Sequence, residues 1–144
     1  MTHLSTDTRL TPEPGAKASV WVGRVLSGLA IAFFAFDGVM KLVQPQVVID
    51  STRQIGWPAD ATMLATLGAI LLVCTALYAL PRTTILGAIL LTGYLGGAVA
   101  AHARLEDPLF THVLFGVYLG LFVWGGLWFR DSRIRALIPI SMTT

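Results

Sequence analysis

A single cysteine, Cys74, leaves the chain without an internal disulfide and without a CxxC redox pair. It lies inside the apolar run LATLGAILLVCTALYAL and reads as a small core residue. Charge is scarce as well: 12% of residues are Asp, Glu, Lys or Arg, against about 25% in soluble domains. A net charge of +2, with basic residues scattered rather than patched, excludes a nucleic-acid surface. There is no HExxH zinc motif, no phosphate-binding loop and no GxSxG nucleophile elbow.

What the chain has instead is apolar bulk, arranged in blocks. Hydrophobic residues make up 55% of the 144, and the mean hydropathy is +0.72. Four runs, Val20 to Leu42, Ala61 to Leu80, Thr83 to Ala101 and Leu109 to Phe129, are long enough to cross hydrocarbon, which takes about 20 helical residues. Backbone groups in lipid must be satisfied within their own segment, so each run is expected to be a helix. The fold expected is all-α, a four-transmembrane-helix bundle.

The connections follow from local signals. Pro81 and Arg82 make a tight turn between the second and third spans. Asp107 and Pro108 read as the N-cap and first residue of the fourth helix. The segment VQPQVVIDSTRQIGWPAD, between helices 1 and 2, mixes apolar and polar residues and reads as a short amphipathic helix on the outer surface. Residues 1–17 read as a flexible N-terminal tail, 18–138 as the membrane domain and 139–144 as a C-terminal tail. The first span is too long for the apolar core of a cleaved signal peptide and is expected to be retained.

Charge orients the bundle. Arg9, Lys17, Arg24, Arg82, Arg130, Arg133 and Arg135 fall on one side; Lys41, Arg53 and Arg104 fall on the other. The positive-inside rule then puts both termini in the cytoplasm of a plasma-membrane, multi-pass protein. The stretch RDSRIRALIPI adds a basic amphipathic segment suited to anionic lipid on that inner side. Gly93 and Gly97, with Gly116 and Gly120, have the spacing that lets two helices approach, and they predict a close hairpin across the elbow.

Ionisable residues collect at the opposite end. Asp37 lies one helical turn before Lys41, about 6 to 9 Å below the surface at 1.5 Å per residue, and an i,i+4 pair between them would compensate the buried carboxylate. His112 shares a helix face with Gly116, Leu119 and Val123 and should point inward at a matching depth. His102 lines up with Tyr94 and Ala98, away from Gly93 and Gly97, so headgroup water is its alternative setting. With Arg104 these residues outline an outward-facing vestibule: Asp37, Lys41, His102, Arg104 and His112. Three readings compete for it. It is ordinary polar packing, a ligand or proton-handling pocket, or a two-histidine, one-carboxylate metal site of Asp37, His102 and His112. The last is disfavoured because Lys41 competes for the carboxylate.

The segments FDGVMKLVQP, GYLGGAVAAHARLEDPLFTHVLF and WGGLWFRDSRIRALIP resemble the DoxX-like family of small bacterial membrane proteins. The positions that match the family pattern are Gly38, Lys41, Pro45, Gly96, Gly97, His102, Arg104, His112 and Arg130. The resemblance implies a four-helix integral membrane protein. The wider superfamily includes proteins similar to the DoxD subunit of thiosulfate:quinone oxidoreductase, partners of membrane redox complexes, and eukaryotic chaperones or cargo receptors. The expected function is a small-molecule-binding or accessory subunit of a membrane redox system, with quinone as the candidate ligand and neither metal nor haem expected. The alternative is a non-enzymatic assembly protein whose partner is another membrane protein or a second copy.

Overall fold

The structure, a computed structural model, describes residues 14–137 of the chain. It is all helical, with no strand among the described residues. The elements are α1 (Pro14–Val43), α2 (Gln46–Gln54), α3 (Ala61–Ala79), α4 (Thr84–Arg104), a π-helical turn (Leu109–Val113), α5 (Phe115–Arg130) and α6 (Ser132–Leu137). Four segments among the described residues are long and apolar enough to cross a membrane: Lys17–Val43, Ala61–Ala79, Thr84–Arg104 and Leu109–Arg130. The expected tail at 1–17 overlaps α1, which already runs from Pro14. Residues 1–13 and 138–144 lie outside the described residues.

α1 packs on α3 and α5, and α4 packs on the same two helices. The four spans therefore form a ring in the order α1, α3, α4, α5, with α1 and α4 on the diagonal. One end of this ring carries the start of α1, the end of α5 with α6, and the α3–α4 turn. The other carries α2 and the elbow between α4 and α5.

The two ends are built differently. Near the start of α1 and the end of α5 the helices touch backbone to backbone. A Cβ placed on Gly23 of α1 would come 2.7 Å from the Gly126 carbonyl oxygen of α5 and 2.8 Å from the Arg130 nitrogen. One placed on Gly87 of α4 would run into the backbone of Leu77 and Tyr78 in α3. Small residues of this kind are what let helices associate in lipid, where burial gains little. Tyr78 is fully buried here; its hydroxyl donates to the Val123 carbonyl (2.9 Å) and meets the Ser27 hydroxyl (2.9 Å). An unpaired phenol in an apolar core would be costly, so this network fixes the register of α1, α3 and α5 together.

Outward-facing side chains are large and apolar: Trp21, Phe36, Phe110 and Leu121 are each at least 65% exposed. A belt of this size facing water would drive association, whereas in a bilayer it is ordinary lipid contact.

Glycine packing across the elbow departs from expectation. Gly116 does pack on α4, where an added Cβ would come 2.8 Å from Val99. Gly93 and Gly97 do not face it: a Cβ at either would meet nothing within 4 Å. The hairpin closes on Leu95 and Val99 instead, roughly opposite on the helix at about 100° per residue.

Candidate functional site

Toward the α2 end the ring opens into a cavity of about 450 Å³. Its walls come from every span. α1 supplies Phe33, Phe34, Asp37 and Lys41; α3 supplies Leu67; α4 supplies Tyr94, Ala98 and His102, with Gly93 and Gly97 at its rim. Phe115, Gly116 and Leu119 close the α5 side, and His112 joins from the π-helical turn. α2 roofs the chamber through Val48 and Thr52, followed by Ile55 and Trp57 from the turn after it.

Each roof contact has a local cause. Gln44 adopts a left-handed conformation (φ 56°), which turns the chain out of α1, and its amide donates to the Ala61 carbonyl (2.8 Å). Pro45 then precedes α2. Gly56 (φ 77°) supplies the second bend, a backbone shape that glycine adopts without strain. Asp60 caps α3 by accepting from the Met63 amide (2.9 Å).

The polar groups are paired in ways that leave some capacity free. Lys41 Nζ donates to both carboxylate oxygens of Asp37 at 2.6 Å. The pair is only partly exposed, Lys41 at 17% and Asp37 at 35%, so its charges attract more strongly than a surface pair would. His102 Nδ1 donates to Asp107 Oδ2 at 2.7 Å. A carboxylate can only accept, so Nδ1 carries the hydrogen and Nε2 of the neutral ring is an acceptor. The His112 ring lies 5.8 Å from that of His102, centroid to centroid, and its Nδ1 meets the Thr111 hydroxyl at 2.8 Å.

Asp37, Lys41, His102 and His112 all line this chamber, while Arg104 does not. The Arg104 guanidinium is exposed and donates to the Ile55 carbonyl (3.1 Å), so it ties the α2–α3 loop to the end of α4. Asp107 does not cap the fourth span, because its carboxylate is held by His102. That span begins instead with the π-helical turn, where the Leu114 amide donates to the Leu109 carbonyl (2.8 Å) five residues back. Among the described residues no group of three His, Cys, Asp or Glu side chains is placed to hold a metal ion, so Asp37, His102 and His112 share a chamber without forming a ligand set. Sequence reading overlooked the aromatic walls, Phe33 edge-on to Phe115 at 5.6 Å, and the roof residues Thr52 and Trp57. The amphipathic pattern of α2 was the one available signal for that roof.

Four lipid-facing helices around an off-centre chamber define a multi-pass membrane protein. The sequence model of the DoxX-like family matches residues 25–126, and the chain belongs to that family. No curated protein and no solved structure matches the chain.

Proposed function

We propose that the chamber binds a lipid-soluble small molecule with a polar ring head, a quinone by chemical class, and that the chain serves as an accessory subunit of a membrane redox system. In this reading the membrane unit, 18–138, sits in a bacterial plasma membrane with its short tails in the cytoplasm and the α2 end facing outward. The supporting observation is the distribution of polarity inside the cavity. Phe33, Phe34, Leu67, Phe115 and Leu119 are apolar, and Asp37, Lys41, His102 and His112 supply the polar groups.

The volume suits such a head, since small-molecule pockets run to about 300–1,000 Å³ with a few convergent polar groups. Lys41 offers the ammonium hydrogen that Asp37 leaves free to a carbonyl oxygen, and His102 Nε2 offers an acceptor to a hydroxyl. One site thus has a partner for both the quinone and the quinol form. The test is a thermal-shift titration of the purified protein with a short-chain quinone. Binding raises Tm, because a ligand held by the folded state alone stabilises it by mass action, and Asp37→Ala diminishes the shift. An unchanged Tm across the titration overturns the proposal.

A second reading has its own observation. Gly96, with Gly93 and Gly97 beside it at the chamber's edge, leaves one stretch of α4 bare, with nothing within 4 Å of an added Cβ. Such a groove suits close approach by a helix of another membrane protein or of a second copy. Crosslinking from this stretch in native membranes, with a reproducible partner lost in Gly96→Leu, favours assembly over ligand binding, because Gly96 does not line the chamber.

A further inference from the structure

A second cavity, about 380 Å³, opens at the end opposite α2, between α1, the α3–α4 turn and the α5–α6 junction. Three arginines line it: Arg24, Arg130 and Arg133. Arg133 is already engaged, with Nη2 and Nε donating to the two oxygens of Asp131 at 2.9 and 3.1 Å. That pairing leaves Arg24 and Arg130 to give the pocket an excess of two positive charges.

Arg130 is held in place by the packed end of the bundle. Its backbone lies against Gly23, and its guanidinium sits 5.4 Å from the centroid of the Tyr78 ring. Yet its Nη2 is buried without a hydrogen-bond partner among the described residues. The Tyr78 ring offsets part of that cost, and a further acceptor for the guanidinium has to come from the pocket that Arg130 lines. Arg24, one residue beyond Gly23, is exposed on the same rim.

We infer that this pocket binds a phosphate group whose negative charge is not neutralised by a cation of its own, with Arg130 and Arg24 as its donors. Planar guanidinium groups match phosphate oxygens in geometry and in charge. The pocket lies at the end of the fourth span, Leu109–Arg130, and in the first turns of the first span, Lys17–Val43, a level that an anionic phospholipid headgroup can reach. A soluble phosphate ester offers the same chemistry. The inference is independent of what the chamber at the other end holds.

The test uses the full chain purified in detergent and delipidated. Native mass spectrometry and Tm are read against phosphatidylglycerol, phosphatidylcholine and inorganic phosphate. Retention and stabilisation by phosphatidylglycerol over phosphatidylcholine are expected. Arg24→Gln should weaken phosphatidylglycerol binding roughly tenfold, the value of one charge-assisted hydrogen bond, and Arg24→Lys should restore part of it. Because Arg24 is exposed, its variants should keep the Tm of the lipid-free protein, so lost binding is not lost folding. If inorganic phosphate alone reproduces the stabilisation and is sensitive to Arg24→Gln, the phosphate site stands and its source is soluble. Equal binding of the two lipids with no response to phosphate, or full binding by Arg24→Gln, overturns it.

Discussion

His102 and His112 face each other across the elbow with ring centroids 5.8 Å apart, and Asp107, which lies between them in sequence, holds only the first. The carboxylate fixes the tautomer and angle of His102, while His112 is oriented by its neighbour Thr111. Asp107→Ala should therefore release His102 without unfolding the elbow. If the chamber holds a quinone as proposed, the expected effect is a two- to tenfold loss of affinity for it, roughly the worth of one hydrogen bond. It can be read by quenching of Trp57, which lines the chamber. Equal affinity in the variant would show that His102 orientation does not matter to the ligand.

Lys41→Met leaves the Asp37 carboxylate half-buried and unpaired. A loss of about 1–3 kcal/mol is expected, less than for a fully buried pair because Asp37 retains some exposure. Asp37→Asn combined with Lys41→Met should recover most of that loss. A double-mutant cycle on Tm separates the pair's interaction from the cost of stranding one partner.

Glycines of two kinds should respond oppositely to alanine. At Gly23 and Gly126 the added methyl meets the backbone or side chain of the facing helix, and a cost of about 1–3 kcal/mol is expected from overpacking. At Gly93 and Gly97 the added methyl meets nothing. Alanine there should leave Tm unchanged or raise it slightly, since it removes the conformational freedom of glycine within a helix. Comparing the four variants by thermal unfolding checks the packing directly.

The C-terminal helix carries a pH dependence of its own. Asp131 precedes α6 and accepts from the Arg133 amide (2.9 Å), and the Arg133 side chain beside it holds its carboxyl below the usual range. A carboxylate with a lowered value in the folded state adds stability above its unfolded value, about 3.9, and loses it as pH falls through the folded value. Amide exchange in α6, corrected for intrinsic rates, should therefore lose protection below about pH 4. Asp131→Asn should reproduce part of that loss at neutral pH.

Much of the fold was legible because lipid imposes simple rules on sequence. Run length set the four spans, and the Pro81–Arg82 break separated α3 from α4. The i,i+4 spacing of Asp37 and Lys41 anticipated their ion pair. Near the elbow the rules gave less. Helix faces were assigned at a constant turn per residue, and the π-helical turn at Leu109–Val113 breaks that phase just where His112 sits. Glu106, with φ 56°, bends the elbow in a way no periodicity encodes. That bend lets Asp107 reach His102 rather than cap a helix. Arg104 took a partner, the Ile55 carbonyl, 49 residues away in sequence, which only the tertiary fold could supply.

The decisive measurement is a structure of the protein determined in lipid from its native membrane. Flat, ring-shaped density between Tyr94 and Phe115, with polar edges reaching Lys41 and His102, is the expected result. A chamber collapsed by closure of α1 onto α4, or filled by nothing except acyl chains with the histidines turned away, would contradict ligand binding there.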